Sequence, residues 1–180
     1  MSKLVKAPST TALSMALAVL VTAGTMESSD ITTLAWVSTL DSEPPMIGIS
    51  VRQKGWLHHF IVEGGAFVIN VADVAHVREL DVCGMVSGKD TDKWKLSALT
   101  REEGTATAVP LVAEFPVNIE CIVRQTVHLG SHDLFIGEIV AVHMDERAQK
   151  GGRALDPVCY VSGQYWKLGD LIGPRGFSRK

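Results

Sequence analysis

Short apolar runs separated by turn-forming residues dominate the chain and predict strands more often than helices. Apolar and polar residues alternate along Val117–Arg124, as in a strand with one buried face. Ala66–Val71 is a continuous apolar run of strand length, and Leu134–Met144 is apolar on both faces, as in a central covered strand. Further strands are predicted at Leu17–Thr22, Thr32–Val37, Met46–Val51, Cys159–Val161 and Gln164–Leu168.

Helical spacing is confined to short segments. Trp56–Glu63 and Val74–Leu80 each place apolar residues on one face, and one helical turn is predicted around Asp92–Lys95. The order of elements predicts a fold that is mainly β with short helices. It favours a closed or split antiparallel barrel over a parallel sheet.

The N-terminal apolar segment has two interpretations. Lys3 and Lys6 precede the apolar run Ala12–Gly24, like the basic and apolar regions of a signal peptide. The run is too short to span a membrane. The alternative, which we favour, is a buried first strand over Leu17–Thr22 that ends at Gly24. Cleavage of the segment as a signal peptide would remove this strand.

The stretch Asp30–Arg52 adds reactive groups to the strand pattern. Its two predicted strands flank a turn, Thr39–Pro45, that ends in two prolines. Between and within the strands lie two hydroxyls, an indole, a glycine and a guanidinium, which belong to Thr32, Thr33, Trp36, Gly48 and Arg52. Such groups can stack on a flat ring, bond its polar edge, let the backbone approach closely and neutralise a phosphate.

Composition and charge narrow the function classes. The 180 residues suit one domain, and 46% apolar with 21% charged residues is ordinary for a globular protein. The net charge of −3 gives no basic surface for nucleic acid or an anionic membrane. The three cysteines are too few and scattered for a disulfide framework or a Cys-x-x-Cys metal site, and they fit a reducing cytoplasm. We predict no metal site.

A loop rich in glycine and lysine is predicted at Cys83–Lys95. In it, Ser87, Lys89 and Lys93 together can form an anion-binding nest. The segment is not a P-loop, because its glycine spacing is one residue short and no Ser or Thr follows the lysine. The chain also has no Gly-x-Gly-x-x-Gly, so a Rossmann nicotinamide site is excluded.

Several motifs follow one another in the order typical of one family. They are Thr-Leu-Ala-Trp-Val-Ser (33–38), Glu-Pro-Pro-Met-Ile-Gly-Ile-Ser-Val-Arg (43–52), Gly65–Val71, Asp81–Gly84, Ser87–Asp90, Ile119–Cys121, His132–Glu138 and Tyr165–Gly169. Over roughly residues 10–177, the chain resembles the flavin reductase-like group of FMN-binding split-barrel proteins, which includes flavoredoxin.

This resemblance implies a Greek-key antiparallel split β-barrel, formed as a single FMN-binding domain over 1–180 with its core at about 10–177. It implies FMN, or FAD in its place, as cofactor, with NAD(P)H stacking over the flavin as electron donor without a Rossmann motif. A homodimer with the flavin at or near its interface is expected, together with a downstream electron acceptor protein. The resulting function is an NAD(P)H-dependent flavin reductase, in which no side chain need act as acid or base.

Two other functions stay open. One is a flavoredoxin-like FMN electron carrier without useful NAD(P)H turnover. The other is a binding protein of this fold that has lost its flavin.

The motifs and the resemblance together give the predicted cofactor-binding residues. They are Thr32, Thr33, Leu34, Ala35, Trp36, Ser50, Val51, Arg52, Cys83, Gly84, Ser87, Gly88, Lys89, Lys93, His132 and Trp166. Arg52 and Lys93 are the phosphate candidates, although surface salt bridges are the usual partners of such residues. His132 is expected beside the flavin or its phosphate.

Each of the other assignments has a structural alternative. Trp36 and Trp166 either flank the flavin ring or fill a core. The hydroxyls of Thr32 and Thr33, like backbone N–H groups, can serve the N5/O4 edge of the ring, but threonine is also simply a good strand former. Cys83 is expected near the flavin without covalent chemistry, or else as a small buried residue.

One departure from the family pattern bears on phosphate binding. Relatives commonly carry Ser or Thr a few residues after the arginine that ends the strand, whereas Gln53–His58 contains no hydroxyl. Lys54 or His58 can substitute as a donor. Without such a substitute, phosphate binding is weaker than in the family, and whether FMN is retained on purification stays open.

Overall fold

The computed structural model describes residues 7–10, 13, 15–149 and 155–175. The strands within them are β1 (Met15–Leu17), β2 (Val19–Gly24), β3 (Ser29–Leu34), β4 (Val37–Ser42), β5 (Pro45–Arg52), β6 (Ala66–Val71), β7 (Arg101–Glu102), β8 (Leu111–Val112), β9 (Val117–His128), β10 (His132–Met144), β11 (Val158–Val161) and β12 (Gln164–Lys167). The helices are α1 (Trp56–Gly64), α2 (Val77–Met85), α3 (Lys93–Ser97) and α4 (Glu146–Gln149), with a 3₁₀ turn at Val74–His76.

The largest sheet has seven strands in the order β3-β2-β6-β9-β10-β5-β4. Every neighbouring pair in it is antiparallel. The segment that joins the two edge strands meets β5, because Ser50 N donates a hydrogen bond of 3.0 Å to Trp36 O. The sheet therefore curls into a barrel, and the predicted mainly β, antiparallel fold is confirmed.

The barrel encloses a continuous apolar core. Alternate residues of β5, namely Ile47, Ile49 and Val51, point into it, whereas Ser50 and Arg52 face away. Burial of each such aliphatic side chain stabilises the fold by about 1.5–3 kcal/mol. The period of two along β5 thus fixes which of its residues can reach a ligand outside the barrel.

A second core lies on the outer side of β2 and β3, where α2 and α3 pack. It contains Leu20 and Ile31 from the strands and Leu80, Cys83 and Trp94 from the helices. The predicted loop over Cys83–Lys95 is wrong at its start, since α2 continues to Met85 and includes Cys83 and Gly84. The helix continues because Cys83 extends the apolar spacing of Leu80 into this core.

The central stretch also differs from its predicted layout. The single strand predicted over Thr32–Val37 is two strands, β3 and β4, which form opposite edges of the sheet. The link Ala35–Trp36 carries the chain from one edge to the other. The predicted turn is shorter than Thr39–Pro45, because Ser42 already pairs with Pro45.

A separate three-stranded sheet, β1-β11-β12, lies beside the barrel. The strands predicted at Cys159–Val161 and Gln164–Leu168 are confirmed, but they pair with β1 and with each other instead of extending the barrel sheet. The predicted N-terminal strand Leu17–Thr22 is confirmed from Val19 onwards in β2, whose residues Val19–Ala23 are buried, but Leu17 belongs to β1 and is 38% exposed. Among the described residues, no helix is long and apolar enough to cross a membrane.

Candidate functional site

Four of the predicted site residues meet on the outer face of β5 and β10. The antiparallel register places Arg52 opposite His132 and Ser50 opposite Leu134. Trp36 is held there by its backbone bond to Ser50, and its ring centroid lies 4.7 Å from that of His132. Half of the Trp36 side chain remains exposed, at 50%.

A large cleft adjoins this group and separates the barrel wall from the three-stranded sheet. We call it the main cleft; its volume is about 1240 Å³. Its lining residues are Ser9, Thr10, Leu13, Met15, Ala16, Ala35, Trp36, Val37, Ser38, Leu40, Gly48, Ser50, Leu134, Tyr160, Ser162 and Gly163. None of these described lining residues carries a charge, so the cleft offers apolar surface and hydroxyl groups only.

Gly48 forms part of the floor of the main cleft. A Cβ at this position would lie 2.8 Å from Leu40 Cδ1 and 3.2 Å from Leu134 Cδ1. The glycine therefore lets two leucine side chains close over β5. A larger residue would push Leu40 or Leu134 into the cleft.

Positive charge lies at one end of the main cleft. Arg52 is exposed and stands two residues beyond Ser50 on the same face of β5, and the exposed Lys54 follows in the next turn. Burial lowers the pKa of His132, and the neighbouring Arg52 lowers it further. His132 is therefore neutral at pH 7, and Arg52 and Lys54 supply the positive charge here.

His58, one of the two expected substitutes for the missing hydroxyl, is held elsewhere. The buried Asp133 accepts hydrogen bonds from Gln53 Nε2 at 2.7 Å and from His58 Nε2 at 2.8 Å. Hydrogen bonds from Gln53 and His58 outweigh burial and lower the pKa of Asp133 to about 2. The Asp133 carboxylate thus fixes the turn after Arg52 and holds the His58 ring. Lys54 is the expected substitute that remains exposed.

The other predicted polar residues lie around β3 and are bonded to α2 and α3. Lys93 Nζ lies 3.3 Å from Asp30 Oδ1 and also donates to Thr32 Oγ1, while Thr33 Oγ1 donates to Leu80 O. The side chains of Asp30 and Lys93 are each only 3% exposed. The charge of Lys93 is thus balanced inside the protein, and both threonine hydroxyls are bonded towards the helices.

Cys83 is fully buried behind this group, and burial raises the pKa of its thiol to about 11. The thiol is therefore protonated at neutral pH and is a poor nucleophile. The adjacent Gly84 lets α2 lie against β3, because a Cβ there would be 3.2 Å from Thr33 Cβ.

The Ser87–Lys89 segment closes over the buried ion pair. Ser87 Oγ accepts from Lys89 N at 3.2 Å, which turns the loop. A Cβ at Gly88 would lie 2.1 Å from Asp30 Oδ1, so only glycine allows this approach. The loop borders a smaller cavity of about 380 Å³, which Asp30 and Lys93 also line.

Four predicted residues remain. Ala35 lines the main cleft, and Leu34 packs against the barrel core. The side chain of Val51 faces that core, at 2% exposure, so it offers no side-chain contact to a ligand outside. Trp166 lies on β12 opposite Cys159, is 55% exposed, and is absent from the cleft lining.

Sequence reasoning missed several residues of this region. Asp30 and Asp133 lie next to or within strongly apolar strand segments. A carboxylate in such a segment is usually buried and paired, and this pattern could have identified both residues. Leu40 and Leu134 are detectable only once β4, β5 and β10 are known to be neighbours. Tyr160 reaches the cleft through β11, whose pairing with β1 has no signature in the sequence.

Comparison with known proteins identifies the relatives of this chain. Residues 13–169 match the family model described as the flavin reductase like domain. A flavoredoxin from Methanosarcina acetivorans has a TM-score of 0.91 and 27% identity, over 99% of this chain and 98% of that one. Flavoredoxin of Desulfovibrio vulgaris (Miyazaki F) has a TM-score of 0.88 and 31% identity, over 100% of both chains.

A sequence relative carries an enzymatic name. It is an FMN reductase (NADH), RutF, from Pseudomonas syringae pv. syringae, which is 24% identical over 66% of this chain and 62% of its own length. The family match and the two flavoredoxin structures confirm the predicted split β-barrel and the predicted family. The chain belongs to the flavin reductase-like family.

Proposed function

We propose that this chain binds FMN with the isoalloxazine ring in the main cleft and the phosphate beside Arg52 and Lys54. The observation that carries the proposal is the placement of an exposed guanidinium at one end of an uncharged, Trp-lined cleft. A flat ring system with one dianionic group needs this arrangement of an apolar slot and a terminal cation. The residues present therefore fit the group.

The chain's own residues bind and orient the cofactor, and bound FMN supplies the redox chemistry. Trp36 offers its exposed ring face, and Ser50 and Ala35 bring the strand edge to the ring. Since Lys93 is paired with Asp30, the phosphate depends on Arg52 and on Lys54, which takes the place of the missing hydroxyls. FAD binds in the same way if its adenylate lies outside the cleft.

We propose that NAD(P)H is the electron donor, with its nicotinamide ring in the main cleft. Two observations support this: the relative named FMN reductase (NADH), and an uncharged cleft that suits the neutral ring of the reduced nicotinamide. The test is the fall in absorbance near 340 nm when NADH or NADPH is added to the protein with FMN. Turnover above the protein-free rate supports the reductase.

An FMN electron carrier is the second candidate. It is favoured by the two flavoredoxin structures, both of which cover essentially the whole chain. A carrier would retain FMN through gel filtration and oxidise NAD(P)H no faster than the protein-free control. A downstream acceptor protein is then expected as its partner. A colourless protein that leaves flavin fluorescence unchanged on titration would contradict both candidates.

The phosphate assignment is tested by Arg52→Met. Loss of a charge-assisted contact of about 1.5–3 kcal/mol weakens FMN binding by about tenfold to a hundredfold. Riboflavin, which has no phosphate, should bind both proteins equally. Arg78→Met is the matched control, because Arg78 is an exposed arginine at 72% on α2. Equal loss of FMN and riboflavin affinity would contradict the assignment.

We also propose a homodimer of single-domain chains located in the cytoplasm. Large apolar side chains are exposed around the main cleft and the three-stranded sheet, including Met15, Trp36, Leu40 and Trp166. Contiguous exposed apolar surface is typical of interaction sites. The three cysteines are unpaired, as expected in a reducing compartment. Light scattering coupled to gel filtration gives the mass, and a monomer at micromolar concentration would refute the dimer.

A further inference from the structure

We infer that the main cleft accepts, next to the flavin, a small uncharged conjugated carbonyl compound of the quinone type as the electron acceptor. This inference rests on the proposed function and adds the class of the second substrate.

The size of the main cleft is the first argument. Its volume of about 1240 Å³ exceeds the roughly 300–1,000 Å³ usual for a site that holds one small ligand. Its two walls belong to different sheets, with Trp36 on the barrel side and Tyr160 on the side of the three-stranded sheet. A flat second molecule therefore has room to lie parallel to a bound ring.

The charge of the lining is the second argument. Among the described lining residues there is no Lys, Arg, His, Asp or Glu. An anionic acceptor would leave water for apolar surface without a partner, which is unfavourable. The exposed cations Arg52 and Lys54 lie at the end assigned to the phosphate.

The remaining polarity of the cleft suits a carbonyl. Hydroxyl groups of Ser50 and Ser162 lie on facing walls, and a hydroxyl can donate to a carbonyl oxygen. Apolar floor residues, Leu40 and Leu134, cover the carbon frame of the acceptor. A protein carrier would instead present charged surface residues to a cleft whose described lining residues carry no charge to pair with them.

The reaction balances with the reductant already proposed. One NAD(P)H and one proton from solvent reduce one quinone to its hydroquinone and leave NAD(P)⁺. The hydride of the nicotinamide carries both electrons and one proton, solvent supplies the second proton, both carbonyl oxygens of the quinone end as hydroxyls, and the flavin is unchanged overall.

The test compares 1,4-naphthoquinone with 1,4-naphthoquinone-2-sulfonate under anaerobic conditions, using FMN-loaded protein and NADH. We expect kcat/KM for the neutral quinone to exceed that for the sulfonate by about tenfold or more. Leu40→Lys places a cation in the lining, at an edge-strand position that tolerates lysine. It should shrink this ratio by about threefold or more.

Leu168→Lys is the matched control, because Leu40 and Leu168 are each 47% exposed and Leu168 does not line the cleft. Comparing ratios between variants removes the difference in intrinsic reactivity between the two quinones. Equal rates with both quinones in the wild type, or the same ratio in both lysine variants, would overturn the inference.

A binding arm separates this inference from the proposed function. Equilibrium dialysis of the two quinones against FMN-free protein measures the charge preference of the cleft directly. Failure of FMN to bind, with the neutral quinone still preferred, would refute the flavin site alone. A dimer that binds FMN but neither quinone would show that a second copy fills the cleft, and would overturn the acceptor assignment.

Discussion

Replacing Lys93 by Met would leave the Asp30 carboxylate buried without its cation. The two side chains are each 3% exposed and 3.3 Å apart, and Thr32 completes their hydrogen bonding. Removing one partner of such a pair costs about 3–5 kcal/mol. Since small domains are stable by about 5–15 kcal/mol, Lys93→Met should remain folded at low temperature but with much of its stability gone.

The loss should depend on pH with a defined sign. Burial raises the pKa of Asp30 even beside Lys93, so the folded protein holds the Asp30 proton more tightly than the unfolded chain. Without Lys93 this pKa rises further. Because a group with a raised folded pKa loses its contribution as pH increases, Lys93→Met should be less destabilised at pH 5 than at pH 8.

Urea unfolding measures both effects. With a slope of about 2 kcal/mol/M, the expected loss moves the midpoint by about 1.5–2.5 M. Lys89 is an exposed lysine of the same segment, and Lys89→Met should change the urea midpoint by no more than a few tenths of 1 M. The double variant Asp30→Asn with Lys93→Met removes both charges and should recover much of the loss. A loss below about 1 kcal/mol in the single variant, or no recovery in the double variant, would refute the buried-pair reasoning.

Two further predictions concern parts of the fold outside the main cleft. Glu120 is fully buried and accepts from Thr107 N at 2.7 Å and from His143 Nε2 at 2.7 Å; burial raises its pKa, but the hydrogen bonds outweigh this and lower the pKa to about 2. Glu120→Gln replaces an accepting oxygen by an N–H group that faces existing donors, so we expect the free energy of unfolding to fall by about 2–3 kcal/mol at pH 7. In urea unfolding, this difference from the wild type should narrow between about pH 5 and pH 2, as the Glu120 carboxylate of the wild type becomes protonated. A difference that does not change with pH would argue against a role for the carboxylate charge. Gly88→Ala places a Cβ 2.1 Å from Asp30 Oδ1 and should lower Tm by about 3–10 °C, while Gly130→Ala, with no atom within 4 Å of its Cβ, should not; equal melting of the two variants would contradict the close packing.

Much of the barrel follows from local patterns. Alternation in β9, the double apolar face of β10 and the run Ala66–Val71 each predict the observed strand, because burial on one or both faces leaves a period of two or a continuous run. The same alternation separates Arg52, which faces away from the barrel core, from Val51, which faces the core. The period therefore leaves only the backbone of Val51 to contact a ligand outside the barrel.

Two misplacements have tertiary causes. Gly84 and the lysines nearby suggest a loop after Leu80, but the buried contacts of Cys83 keep that segment helical. The break between β3 and β4 has no strong local signal, since Ala35 and Trp36 are tolerated in strands. It arises because the chain must pass from one edge of the sheet to the other when the barrel closes.

The phosphate candidates show what local patterns cannot decide. In the sequence, Arg52 and Lys93 are equally good phosphate candidates, because each is a cation close to glycine and serine residues. The structure separates them, because Asp30, 63 residues before Lys93, neutralises one and leaves the other exposed. Asp30 and Lys93 both line the smaller cavity, and neither is among the described lining residues of the main cleft. Removal of Asp30 would therefore leave Lys93 without its charge partner beside β3, at the smaller cavity.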